Sequence, residues 1–205
     1  PREFDVVLVP DLGPAERDEF IRGLLGVYGK RLTGDQVRCI ANAAFAARLG
    51  ALVLCLDELR RYGQFDSLDE RLAELVRCTS DDELVQSVLD GLRVSVPSRF
   101  SQALDSILIA LGMSLRGLHE DELSYAASLS SGDCLPPQVW STFRIGLGRA
   151  IQWREARVDL TSGPVRRFAE SLITREPDLA RRVGSALLDH LASSNRERWI
   201  EEAPQ

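Results

Sequence analysis

Residues 151–160, IQWREARVDL, decide the fold that we expect for this chain. Two short runs of β-forming residues, 151–153 and 158–160, flank the polar turn 154–157, which is the pattern of a β-hairpin. Apolar periodicity predicts three helices before the hairpin, over about residues 98–113, 119–129 and 136–148. Three helices followed by a short hairpin are the layout of a winged helix.

The part of the chain before this region predicts a bundle of short helices. A short β-branched strand over residues 4–9 precedes them. Capping signals are expected at Thr33 with Gln36, at Ser67 with Glu70 and at Ser80 with Glu83. The helices are predicted over about residues 15–28, 34–48, 52–62, 68–76 and 81–94, with Gly50 separating the second from the third. We therefore expect a mostly α protein, with a helical-bundle subdomain followed by a winged-helix subdomain that has a short β-hairpin.

The best subdomain boundary lies at Val96-Pro97-Ser98. Pro97 disfavours a helical conformation at the residue before it, and Ser98 can cap the next helix. The predicted helical subdomain covers residues 14–96 and the winged-helix subdomain covers residues 97–175. Further helices are expected at about 164–173 and 178–192.

The composition of the chain argues against two classes of partner, nucleic acids and membranes. The formal net charge is -6 at pH 7, which argues against nucleic acid because phosphate binding depends on Lys and Arg. No apolar run reaches the roughly 18 residues that a membrane helix needs, so we expect no membrane contact. The four cysteines, at positions 39, 55, 78 and 134, contain no C-x-x-C pair, and we expect buried, reduced thiols in a cytoplasmic protein.

Catalytic patterns are missing from the sequence. A P-loop, a G-x-S-x-G nucleophile and an H-E-x-x-H metal motif are all absent. His119 is interpreted as a helix-cap residue and His190 as a residue near a helix C-terminus, where an imidazole is favourable. Asp57 and Glu58 are adjacent on a helix and so do not face each other, and we expect ion pairs with Arg60 and Arg61 rather than acid–base work. The sequence predicts that this chain is not itself an enzyme and holds no metal.

The third helix of the predicted winged helix is poorly suited to DNA. Gln138, Arg144 and Arg149 are its polar candidates for base or phosphate contacts, and they alternate with Trp140, Phe143, Ile145 and Leu147. Such a helix favours packing against protein. A winged-helix transcription regulator and a helical protein-interaction adaptor stay open as alternatives.

Several short blocks in a fixed order give the chain a resemblance to a known family. They are Tyr28-Gly29-Lys30, residues 49–54, the DELRRYG run at 57–63, residues 68–72 and the RGLHEDEL run at 116–123. Together these resemble the region directly after the nucleotide-binding core in STAND-class P-loop NTPases, most closely the NACHT-type, nephrocystin-like branch. The similarity covers roughly residues 5–175.

The resemblance implies a regulatory role. In such proteins the helical subdomain and winged helix form a lid and arm that couple nucleotide state and sensor binding to rotation of subdomains, in signalling, cell death or antiphage defence. It implies that residues 1–13 end the P-loop core and that residues 176–205 form a helical linker toward C-terminal sensor repeats. It also implies that the chain is a fragment of a parent protein that can be an ATPase and can form a homo-oligomer on activation.

The predicted nucleotide contact is the most specific part of this hypothesis. Gly50, Ala51 and Leu52 would line the adenine edge of ATP or ADP held by the full-length parent. The family usually has a proline motif there, and its winged helix often has a histidine where this chain has Ser162 or Gly163.

Overall fold

The computed structural model describes residues 10–62 and 65–194. The predicted strand at 4–9 and the predicted helix end at Gly63 lie outside these residues. Within them the chain is mostly α, with one small antiparallel sheet, as expected from the sequence. None of the described helices is long and apolar enough to cross a membrane.

The chain divides into two compact units, Pro1–Leu84 and Val85–Gln205, and each is described by itself. The division falls inside a helix, upstream of the boundary predicted at Pro97. The limits 14–96 and 97–175 therefore stay a prediction.

Unit 1 is a bundle of short helices. Its apolar core includes Ile21, Ile40, Phe45, Leu52 and Leu56, each almost fully buried. Its helices are α1 (Pro14–Val27), α2 (Gly34–Ala41), α3 (Leu49–Arg61), α4 (Leu68–Val76) and the first turn of α5 (Asp81–Val94).

The prediction of one helix over residues 34–48 is wrong. The capping box of Thr33 and Gln36 is confirmed, but α2 ends at Ala41. Residues 42–48 then form tight turns, with hydrogen bonds from Ala46 N to Ala43 O and from Arg48 N to Phe45 O. These turns bury Phe45 and Ala46 completely, so tertiary packing overrides the helix propensity of the alanines. Gly50 consequently lies inside the first turn of α3 and does not separate the second helix from the third.

Ser67 is the N-cap residue of α4, as predicted, but the capping box expected with Glu70 is not formed. A 3-10 turn over Phe65–Ser67 precedes α4, and the Ser67 side chain makes no cap hydrogen bond. Its hydroxyl instead lies 2.9 Å from the Tyr62 hydroxyl. At the start of α5 the Ser80 hydroxyl accepts a hydrogen bond from the Glu83 main-chain N–H, as predicted. The Glu83 carboxylate accepts from the main-chain N–H and the hydroxyl of Thr79.

Unit 2 has the element order of a winged helix. Helix α6 packs against α7, α9 and α10, and the three-stranded sheet lies beside them with strand order β1-β3-β2. The elements after α5 are α6 (Ala103–Met113), β1 (Leu118–His119), α7 (Glu120–Ser131), α8 (Pro137–Leu147), β2 (Ile151–Arg154), β3 (Arg157–Leu160), α9 (Gly163–Arg175) and α10 (Pro177–Ser194).

Two glycines allow close approaches in unit 2. Gly117 has a φ of +76°, and a Cβ there would lie 2.6 Å from Val158 O, so only glycine lets β1 reach β3. A Cβ on Gly146 would overlap the side chain of Leu92. The C-terminal part of α5 therefore lies directly against α8.

Candidate functional site

The residues predicted to contact adenine lie in the first turn of α3. Gly50 is exposed, whereas Ala51 and Leu52 are fully buried. Arg48 is the N-cap residue, but its guanidinium has no acceptor atom for a cap hydrogen bond and donates instead to Asp81 at 2.8 Å. Gly50 is therefore the member of the trio that offers a surface, and the adenine contact stays a prediction.

A group of buried charges joins α3 to α4. We call it the α3–α4 charge cluster, and it consists of Asp57, Glu58, Arg60, Arg61, Arg71 and Glu74. Glu58 Oε1 accepts from Arg71 NH2 at 2.8 Å and from Arg71 Nε at 3.2 Å. Arg61 NH2 lies 3.5 Å from Glu58 Oε2, and Arg71 NH1 donates to Glu74 at 2.8 Å. Each described arginine of the cluster thus faces at least one carboxylate.

Burial perturbs the charged groups in this cluster. Asp57 is only 3% exposed, while Glu58 and Arg71 are each 9% exposed. Burial lowers the pKa of Arg61 despite the opposing charges of Glu58 and Asp57. For Arg71, burial also acts to lower the pKa, but hydrogen bonds to Glu74 and Glu58 outweigh it and raise the pKa. The carboxylates therefore keep two desolvated guanidinium groups charged.

The cluster fits a structural role better than acid–base chemistry. The expected pairs Asp57–Arg60 and Glu58–Arg61 are confirmed, at 3.3 and 3.5 Å. Both carboxylates are held by arginine side chains, which leaves neither of them free for proton transfer. Sequence reasoning missed Arg71, because its partner Glu58 lies on a different helix. The Arg60 guanidinium also stacks over the Tyr28 ring at 4.4 Å, which ties α3 to the end of α1.

A cleft of about 240 Å³ lies between α1 and the loop that leads to α2. Its floor is apolar, with Ile21, Leu25 and Val37, and its rim carries Lys30 and Arg31. It is smaller than the clefts that usually hold cofactors. The arrangement could take a small apolar group with a negative charge.

The described residues contain no group of three or more metal-ligating side chains. The four cysteines are free thiols, but the expectation that all are buried is wrong, because Cys39 and Cys134 are exposed. Burial raises the pKa of the Cys55 thiol well above its usual range, so Cys55 is a protonated core residue at neutral pH.

Helix α8 occupies the position that reads DNA in many winged helices. Its exposed residues include Arg144 and Ile145, the latter 62% exposed. Trp140 donates from Nε1 to Glu120, the first residue of α7, at 2.6 Å. Gly146 is covered by Leu92 of α5. The exposed residues of α8 are thus mixed in character, and Gln138 and Arg144 are fewer amide and basic groups than base readout usually requires.

His119 joins the helical part of the winged helix to the hairpin. As predicted, it is the N-cap residue of α7, and its main-chain N–H donates to Glu122 at 2.7 Å. Its ring Nδ1 lies 3.2 Å from Ala156 O in the hairpin turn. His190 stacks on Tyr125, with ring centroids 4.7 Å apart. Both histidines thus make contacts that organise the fold.

Comparison with known proteins identifies a distant relative. The chain is 22% identical over 192 residues to a TPR repeat-containing protein from Dictyostelium discoideum, a match that covers 93% of this chain and 11% of that protein. No family model and no solved structure matches the chain. The chain spans only about a tenth of the relative's length, and its three-stranded sheet differs from TPR repeats, which are helix pairs.

Proposed function

We propose that this chain is a non-catalytic regulatory module within a longer, cytoplasmic, STAND-like signalling or defence protein. In this proposal the module couples the nucleotide state of a neighbouring P-loop core, and the state of a neighbouring helical sensor, to a rotation of subdomains. ATP or ADP would be held by the core, with Gly50 at the adenine edge. Such coupling requires an element with two packed arrangements whose balance each ligand shifts.

The observation that carries the proposal is a winged helix whose α8 surface suits protein contact. Ile145 is 62% exposed, and Arg144 is the one basic side chain within α8. A winged helix that reads DNA needs a positive surface, because phosphate neutralisation supplies most of the affinity. The net charge of -6 opposes that use, so the transcription-regulator alternative has less support.

The α3–α4 charge cluster supports the mechanical part of the proposal. Paired charges buried between two helices fix their register, since any slip would leave a desolvated charge unpaired. The helices α3 and α4 would therefore move as one arm. Such an arm needs strong contacts between its two helices and needs no catalytic groups.

The relative from Dictyostelium is consistent with a helical-repeat neighbour. Its name states that it contains TPR repeats, and this chain matches only 11% of it. A second candidate function follows from the same comparison: a helical adaptor that connects interaction domains without any nucleotide. The two candidates differ in whether the parent protein binds a nucleotide next to α3.

The test uses the full-length protein that contains this chain. We expect magnesium ADP to slow amide hydrogen exchange in the first turn of α3, and Gly50→Arg to abolish this slowing. Gly23→Arg is the control, because Gly23 lies on α1 with open space around it. Full-length protein that is folded but binds neither ADP nor ATP would overturn the proposal and favour the adaptor.

A further inference from the structure

The hairpin of β2 and β3 has one open edge. Strand β2 is the last strand of the sheet, and no other strand in the described ranges pairs with its outer side. Arg154 pairs with Arg157 across a two-residue turn, so these two residues exchange the hydrogen bonds nearest the turn. Main-chain groups alternate along a strand, and the N–H and C=O of Trp153 therefore point toward the open edge.

Trp153 and Arg154 are side chains of the edge strand itself, and the half-exposed Arg157 lies opposite Arg154 on the central strand β3. Trp153 is 43% exposed. Arg154 is exposed, and its guanidinium meets only the Gln152 side-chain oxygen, at 2.7 and 2.8 Å. Neither Arg154 nor Arg157 forms an ion pair with any described residue, although acids outnumber bases in the whole chain. Two like charges directly opposite each other on neighbouring strands destabilise a hairpin.

The turn between the strands is itself in a costly conformation. Glu155 has a φ of +50° and Ala156 a φ of +67°, a region that favours Gly, Asn or Asp. The contact of His119 Nδ1 with Ala156 O helps to hold the turn in place. Strained residues and unpaired cations that persist together at an exposed site are typical of a binding surface.

We propose that this open edge binds an extended, acidic peptide segment of a partner protein, which adds a strand beside β2. The partner's main chain would pair with Trp153, its carboxylates would neutralise Arg154 and Arg157, and Trp153 would cover its alternate side chains. The inference goes beyond the proposed function because it requires no nucleotide and no neighbouring domain.

An acidic peptide explains these features better than a nucleic acid does. A duplex would use the arginines but would leave the outward main-chain groups of Trp153 without hydrogen-bond partners. A strand of acidic peptide uses the arginines, the Trp153 ring and the free main-chain groups together. The length of β2, four residues, is sufficient for a short added strand.

The experiment measures binding of a fluorescent probe to the 205-residue chain by anisotropy. The probe is a peptide of alternating Glu and Val, about ten residues long so that it exceeds one typical strand. We expect the double substitution Arg154→Gln with Arg157→Gln to raise Kd about tenfold or more, which equals a loss of about 1.4 kcal/mol. Arg77→Gln is the control, because Arg77 is exposed in unit 1 and lies outside the hairpin.

Main-chain pairing has its own test. Trp153→Pro removes an N–H that does not belong to the ladder, so the hairpin should persist while probe binding is lost. In the unsubstituted protein the probe should slow hydrogen exchange at the Trp153 amide and leave the Gln152 amide unchanged. The exchange measurement needs no substitution, so it tests pairing even if the proline variant does not fold.

Three results would overturn the inference. The first is a probe affinity that does not change in the double arginine variant. The second is a bound probe that does not slow exchange at Trp153. The third is tighter binding of a random-sequence DNA duplex than of the peptide, lost on the same double substitution, which would make the hairpin a nucleic-acid contact.

Discussion

The protein uses arginines in opposite ways in its two units. In the α3–α4 charge cluster of unit 1, Arg71 and Arg61 are buried and each meets a carboxylate. In the hairpin of unit 2, Arg154 and Arg157 face each other and meet none among the described residues. The same side chain thus contributes to the fold in one place and is available to a partner in the other.

The physical difference is desolvation. A buried guanidinium without an anion costs several kcal/mol, so the arginines of the cluster require Glu58 and its neighbours. An exposed guanidinium is solvated, and two such groups repel each other only weakly. Substitutions at the two regions should therefore differ greatly in their effect on stability.

The largest effect is expected at Glu58. Glu58→Gln keeps the size of the side chain but leaves Arg71 and Arg61 without their shared anion, so it should lower the free energy of unfolding by about 3–5 kcal/mol. Urea denaturation followed by circular dichroism measures this. The control is Glu74→Gln, because the Glu74 side chain is 60% exposed and its pair with Arg71 should be worth about 0–1 kcal/mol.

A double substitution sharpens the same point. Glu58→Leu combined with Arg71→Met removes both charges, and it should recover much of the stability that Glu58→Gln loses. Equal losses for Glu58→Gln and Glu74→Gln would show that the cluster is solvated, and the comparison between the two regions would then fail.

The next effect tests the packing of α5 against α8 in unit 2, which is an apolar contact and not an ion pair. Gly146→Ala should lower stability by about 1–3 kcal/mol, because the new methyl group would overlap Leu92. Gly23→Ala is the matched control on α1, where no atom would meet the new Cβ, and it should stabilise by about 0.5–1 kcal/mol. Both values come from thermal unfolding. A neutral Gly146→Ala would mean that α5 moves easily away from α8.

Much of this fold could be predicted from local sequence signals. The helices of unit 2 and the hairpin follow apolar periodicity closely, and the predicted helix at 68–76 coincides with α4. The two-residue strand β1 was missed, since Leu118–His119 is too short to show alternation and depends on Gly117 approaching Val158. The turns at 42–48 were missed for a related reason, because burial of Phe45 decides them.

The candidate sites show the same limit. The pairs Asp57–Arg60 and Glu58–Arg61 follow from spacing on one helix. The contact of Arg71 with Glu58 joins two helices through a loop, and no local pattern predicts it. The repulsion between Arg154 and Arg157 could have been predicted from the hairpin, because a two-residue turn fixes the register.

A smaller effect is expected at the hairpin turn. Ala156→Gly should raise the free energy of unfolding by about 0.5–1 kcal/mol, because glycine adopts a positive φ without the steric cost that alanine has. Ala156→Val is the control and should destabilise, since β-branched side chains tolerate this region poorly. Thermal unfolding measures both. A loss of stability with glycine would show that the turn is relaxed. The turn would then give no support to a binding role for the hairpin.

The smallest effect separates stability from binding at one residue. Arg157→Glu places a carboxylate opposite Arg154, so it should stabilise the hairpin by about 0.2–1 kcal/mol at low salt, and less at high salt. The same substitution should abolish binding of the acidic probe, because a carboxylate then competes for Arg154. Arg144→Glu on α8 is the control for net charge. A variant that gains stability and still binds the probe would show that the two arginines are not what recognises it.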